Sequence, residues 1–153
     1  MEYKMRGMTY EEFQVGDKYV SGGRTITESD VQAFACLTGD MNPLHVNEDY
    51  AKNSTIFGTR VAHGLLGVAL MAGMIYQMGI NEGTTLAFLE SVDRFKGPIL
   101  IGDTVHTRVT VSDKRLTSKP GRGIVKYLVE LCNQDGKVLV EQEQTVMIKT
   151  AVE

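Results

Sequence analysis

A chain of 153 residues with 42% hydrophobic and 23% charged residues has the make-up of a globular protein. It is long enough to bury roughly two-thirds of the surface its unfolded form exposes, and too apolar for a disordered segment. Its 19 acids and 16 bases leave a net charge of −3, spread along the chain with no basic run standing out, which argues against nucleic acid or an anionic membrane as partner.

The N-terminal MEYKMRGMTYEEF has no apolar core and no small-residue cleavage site, so it does not read as a signal peptide. Residues 18–26, KYVSGGRTI, read as a short strand broken at Gly22-Gly23. Thr27 followed by Glu28, Ser29 and Asp30 is an N-cap signal, and the helix it opens stops at Gly39 with Val31, Phe34, Ala35 and Leu37 expected inward. Asn47-Glu48-Asp49 opens a second, short helix containing Tyr50 and Ala51. From Gly64 to Met78 apolar residues cover nearly every face, as in a helix buried all round. The apolar run 65–79 is shorter than the roughly 20 residues that a membrane span requires.

Beyond this helix the period changes. TLAFLESVDRF, 85–95, is rich in strand formers and ends at Gly97-Pro98. Val105, Thr107, Val109 and Val111 alternate with more polar neighbours, the pattern of a half-buried strand over 103–111. The stretches 123–132 and 137–149 flank Asn133-Gln134-Asp135-Gly136 and read as a hairpin with an Asp-Gly turn, preceded by the turn SKPGRG at 118–123. No repeat or linker divides the chain, so residues 1–153 are expected to form one α+β domain with an antiparallel sheet around the apolar helix. Cys36 and Cys132 lie far apart without CxxC spacing, which suits two free thiols in a reducing compartment, so a cytoplasmic location is expected.

The chemistry-bearing stretch is LTGDMNPLHV, 37–46. Each residue has an ordinary reading: Asp40 as an Asx-turn beyond a helix, Asn42-Pro43 as a turn initiator, His45 as a hydrogen-bonded structural histidine. Pro43 disfavours the α region at Asn42, so acid and imidazole can converge on one small object such as a water, with the Asn42 amide holding the loop or a partner. In VAHGLLG, 61–67, His63 and Gly64 fall where the apolar helix begins. Unpaired N–H groups and the helix dipole favour negative charge there, and glycine lets a ligand oxygen approach. Gly64 then reads as an oxyanion donor; packing against the sheet is the alternative. The three histidines lack metalloprotease-like spacing, GxSxG is absent, and the glycines form no phosphate or dinucleotide loop, so neither metal nor cofactor is expected. The eight methionines read as core or as lining for an apolar ligand.

LTGDMNPLHVNEDYA (37–51) followed by FGTRVAHGLL (57–66) resembles the signature of MaoC-like (R)-specific enoyl-CoA hydratases. DRFKGPILIGDTV (93–105) and SKPGRGIV (118–125) are similar to that family too, so the resemblance runs over almost the whole chain. It implies a hot-dog fold, an antiparallel sheet wrapped around one long helix, and a homodimer whose sheets join side by side. It implies that Asp40 and His45 hold the water added to a trans-2-enoyl thioester, giving the (R)-3-hydroxyacyl product, and that the Gly64 N–H stabilises the thioester enolate. Asn42, His63 and Leu65 are the neighbours expected to line the substrate, an acyl-CoA or acyl-carrier-protein thioester. Some relatives carry a hydroxyl residue where this chain has Ala72. Two other functions compete: a hot-dog thioesterase, which would place a lone carboxylate elsewhere, and an acyl-CoA-binding domain with no need of both residues.

Overall fold

The Thr27 signal fixes the first long element. In the computed structural model, which describes residues 3–152, Thr27 caps helix α1 (Glu28–Thr38): its hydroxyl accepts the Asp30 N–H and the Asp30 carboxylate accepts the Thr27 N–H. Gly39, at φ +78°, closes the other end in the left-handed conformation that a side chain resists. Val31 and Ala35 are buried and Phe34 half-buried, as expected, but Leu37 is 84% exposed. Six positions after Val31, Leu37 is rotated about 240° around the helix, away from the 31/34/35 stripe.

The loop after Gly39 is tighter than the sequence indicates. Asn42 is extended (φ −55°, ψ 129°) as Pro43 demands, yet Pro43 then serves as the first residue of a helical turn, α2 (Pro43–Val46). Asn47 caps the next helix, α3 (Glu48–Ser54), with its side chain accepting the Tyr50 N–H. The apolar helix is α4 (Gly64–Gln77).

The strands are β1 (Lys18–Val20), β2 (Arg24–Thr25), β3 (Thr85–Phe95), β4 (Thr104–Leu116), β5 (Arg122–Cys132) and β6 (Val138–Lys149). The 18–26 stretch is thus two short strands, both paired with β4, and β4 runs five residues past the expected Val111. One antiparallel sheet results, in the order β1-β4-β5-β6-β3 with β2 also on β4. The β5–β6 turn holds Gly136 at φ +78°, with the Asn133 side chain accepting the Asp135 and Lys137 N–H groups.

α4 packs across β4, β5 and β6, and Met71, Met74 and Ile75 join Val109, Val129, Leu131 and Val140 in the core. Gly67 permits this approach, since a Cβ there would meet the Ile99 side chain at 2.5 Å. The sheet covers only part of the helix. Leu65, Ala69, Ala72 and Tyr76 remain exposed along one stripe, so α4 is not buried all round within one chain. β3 is a free edge of the sheet, and Phe88, Val92 and Phe95 are exposed there. No helix among the described residues is long and apolar enough to cross a membrane.

Candidate active site

The site grows from the short loop between α1 and α2. Asp40 donates its N–H to the Thr38 hydroxyl (3.2 Å), and one of its carboxylate oxygens accepts the Asn42 N–H at 3.3 Å. The Asn42 amide oxygen accepts the Leu44 N–H (3.3 Å), so Asn42 caps α2. That turn carries His45 inward, where it is buried against Val61. His45 Nδ1 lies 2.7 Å from the Val61 carbonyl oxygen. A carbonyl only accepts, so this nitrogen carries the proton, and Nε2 of the neutral ring is left with a lone pair.

His63, at the mouth of α4, does the opposite. Its Nε2 donates to the Asp40 carbonyl oxygen at 2.9 Å, and its ring stacks on His45 with centroids 3.8 Å apart at 27°. Phe34 backs the pair, 5.0 Å from His63. His63 is 2% exposed and its Nδ1 is buried with no partner among the described residues. Asp40 is half-exposed, with a carboxylate oxygen 4.0 Å from His63 Nε2, beyond hydrogen-bond reach. The loop leading into His63 is fixed by Arg60, which reaches Glu28 at 2.7 Å and Glu48 at 2.9 Å. Hydrogen bonds from its guanidinium hold both carboxyls below the usual carboxylate range.

Asp40, His45 and His63 bring one ligand-type atom each within 4.8 Å of the others, a convergence the spacing of the histidines conceals. His45 Nδ1 and His63 Nε2 each spend their proton on a carbonyl, which leaves the ring lone pairs on His45 Nε2 and His63 Nδ1.

A cavity of about 540 Å³ opens beside His45, lined by Leu44, Phe57, Gly64, Leu65, Phe95 and Ile99 among others. No side chain caps α4 at His63, so its first N–H groups have no partner in the helix and lie at the positive end of its dipole. A Cβ at Gly64 would sit 2.6 Å from the ring of Phe95, which would have to move to admit it.

Of the residues singled out from sequence, His45, Gly64 and Leu65 therefore line one cavity, His63 lies behind His45, Asp40 hangs on His63, and Asn42 caps the turn. Phe95 and Arg60 were not singled out, and Phe34 was expected only as an inward residue of its helix. Phe95 sits at the end of a strand and Arg60 in a loop, and nothing local in their neighbourhoods marks them as parts of a site.

The model of the MaoC like domain matches residues 12–131. The chain belongs to the MaoC-like family. A relative, the (R)-specific enoyl-CoA hydratase of Rhodospirillum rubrum, is 37% identical over 139 residues, covering 91% of this chain and 90% of that one. Among solved structures, the unliganded R-hydratase of Pseudomonas aeruginosa is 32% identical with a TM-score of 0.75, over 94% of this chain and 87% of that one. A protein from Archaeoglobus described as a monoamine oxidase regulatory protein is also 32% identical, with a TM-score of 0.88 over 95% and 96% of the two chains. The hot-dog fold and the α+β class are therefore those of this MaoC-like protein, which is an enzyme of the carbon–oxygen lyase type.

Proposed function

We propose that this protein adds water reversibly to a trans-2-enoyl thioester, giving the (R)-3-hydroxyacyl thioester. The observation that carries this reading is one apolar cavity whose wall presents both the His45 ring and the uncapped start of α4 at Gly64. Water must lose a proton as its oxygen bonds to C3, C2 must gain one, and negative charge builds on the thioester oxygen in between. His45 Nε2 and the Asp40 carboxylate hold and polarise the water, and the carboxylate takes its proton and returns one to C2. The Gly64 N–H receives the thioester oxygen, where a preorganised donor acts most strongly. His63 fixes Asp40 by its main chain and His45 by stacking.

The working unit in this reading is a homodimer. One chain leaves both the exposed stripe of α4 and the β3 edge uncovered, and a two-fold partner covers the first while extending the second. The free cysteines, Cys36 exposed and Cys132 buried, suit a cytoplasmic enzyme.

A panel of enoyl-CoA thioesters of graded chain length tests the proposal, followed by loss of enoyl absorbance with the C3 configuration of the product assigned. The expected result is turnover to the (R)-alcohol. Thioester hydrolysis without hydration, or tight acyl-CoA binding without either reaction, would overturn it.

A further inference from the structure

The inner face of the sheet changes character one step beyond the cavity. Phe95 and Val140, which both line the cavity, are paired across β3 and β6. The next inward-facing pair along those strands is Asp93 with Gln142, and the one after it is Ser91 with Gln144. Gln142 and Gln144 lie beside Val129 and Tyr127 of β5 and are 2% and 4% exposed, so two amides occupy core positions. They form a ladder. Gln142 Nε2 donates to Asp93 Oδ1 at 2.8 Å and to the Ser91 hydroxyl at 3.0 Å, and Gln142 Oε1 accepts Gln144 Nε2 at 3.2 Å. The Ser91 hydroxyl donates to the other Asp93 oxygen at 2.5 Å. Gln144 Oε1 is buried with no partner among the described residues.

The course of α4 leads from the cavity toward this ladder. The helix starts over Val140, since a Cβ at Gly67 would meet the Val140 side chain at 3.4 Å and that of Leu131, which is in register with Val140, at 3.2 Å. Just past its end, the Asn81 side chain accepts the Tyr127 hydroxyl at 3.2 Å, and Tyr127 is in register with Gln144. α4 therefore advances along β6 from Val140 toward Gln144. Its open side begins at Leu65, which lines the cavity with Phe95, and continues with the small residues Ala69, Ala72 and Gly73. A chain held by its thioester oxygen at Gly64 and laid along that side passes Phe95 and then meets Asp93 and Gln142. The two pairs are two residues apart, about 7 Å at about 3.4 Å per residue. Three bonds of an extended chain span about 3.4 Å, so about six bonds cover that distance.

We infer that the ladder of Ser91, Asp93, Gln142 and Gln144 is the floor of the acyl pocket and restricts the substrate to enoyl groups of about four to six carbons. The inference rests on the hydratase reading and names its acyl class. A CH₂ group that meets an apolar wall gains about fourfold in affinity. A longer chain here would instead lie against a carboxylate and two amides and shut them off from water, with nothing to replace the lost hydrogen bonds.

The test measures kcat/KM for trans-2-enoyl-CoA thioesters of four, six, eight and twelve carbons in the unsubstituted enzyme, Gln142→Ala, Asp93→Ala and Glu143→Ala. The unsubstituted enzyme should be fastest at four to six carbons and about tenfold or more slower at eight, where continued apolar contact would have raised the value. Gln142→Ala should raise the ratio of the eight-carbon to the four-carbon value about tenfold, the scale of two CH₂ groups admitted to an apolar wall. Asp93→Ala, at the less buried end of the ladder and so less demanding of the fold, should raise it in the same direction. A ratio does not depend on what fraction of the chains is folded. Glu143→Ala, exposed on the opposite face of β6, should leave it unchanged. Calorimetric affinity for saturated acyl-CoAs should level off at the same length, and it reads the pocket even if nothing is turned over. A kcat/KM still rising at twelve carbons, or a ratio that neither Gln142→Ala nor Asp93→Ala raises, would overturn the inference. Turnover of none of the thioesters would instead overturn the hydratase reading. The floor would then stand if acyl-CoA affinity levels off by six carbons and fall if it climbs through twelve.

Discussion

The segment from Gly39 to Gly64 and the face shared by α4 and β3 have opposite characters. In the first, polar groups are matched inside the chain: His45 to Val61, His63 to Asp40, Asn42 to Leu44, Arg60 to Glu28 and Glu48. In the second, apolar groups are left unmatched: Leu65, Tyr76, Phe88, Val92 and Phe95 are all exposed. Around the candidate site the chain therefore completes its own hydrogen bonding except at His63 Nδ1, but it does not complete its own apolar burial. In the proposed hydratase the chemistry is built within a copy, and the exposed apolar walls are what a second copy would cover.

The sharpest break of that contrast is at the matched side. Asp40→Asn and His45→Gln should each keep the fold and lower turnover of an enoyl-CoA about 10²–10⁴-fold, the usual range for one acid–base group. Circular dichroism and the rate of enoyl loss read the two quantities separately. Near-normal turnover by either variant would remove that residue from the site.

Gly64 stands where the two regions meet, so substitution there tells helix-end chemistry from packing. Gly64→Val should cut kcat by about tenfold or more, the scale of one weakened oxyanion contact, while thermal stability changes little because Phe95, itself 54% exposed, can swing away. A protein that unfolds on this change, with Gly64→Ala fully active, would make Gly64 a packing glycine only.

On the unmatched side, Val92→Lys places a charge on the exposed β3 edge without touching the cavity lining. Light scattering at micromolar concentration should show the mass halved, and activity should fall with dilution before the isolated chain unfolds. A stable dimer in this variant would show that the β3 edge is not the seam, and a fully active monomer would show that the site needs no second copy.

How much of this was legible in the sequence follows the same divide. Thr27, Gly39, Asn47 and the Asp135-Gly136 turn act on neighbours a few residues away, and the elements they bound fall where the sequence places them. Asp40 and His45 stand out in the sequence as candidates because polar groups are costly beside a core, and Gly64 because glycine at a helix start admits close approach. The helical turn at 43–46 was not, since four residues carry no periodicity and Pro43 reads equally well as a turn. Phe95 reaches Gly64 only because a strand 31 positions later returns to the start of α4, and Gln142 meets Asp93 only through strand register. Such contacts depend on the closed sheet and leave no trace in a local window. The exposed stripe of α4 is a related case: an all-apolar helix signals more apolar surface than one sheet covers, and the sequence does not say what meets the rest.

The smallest expected effect is at Thr27, where local signal and structure agree most fully. The Thr27 hydroxyl accepts the Asp30 N–H at 3.2 Å and the Asp30 carboxylate accepts the Thr27 N–H at 2.8 Å, so Thr27→Ala strips one half of a reciprocal cap. The cost of such a loss is about 1 kcal/mol, which for a chain of this size is a fall of about 2–4 °C in Tm. Turnover should not move with it. The far end of α1 is held separately, by Gly39 donating to Ala35 at 2.8 Å and by His63 donating to the Asp40 carbonyl at 2.9 Å, so loosening the first turn leaves the acid in place. Thermal melts and initial rates on one preparation check both halves. A drop in kcat larger than tenfold at unchanged quaternary state would mean that α1 moves as one rigid lever on Asp40, and that the matched region extends back to its cap.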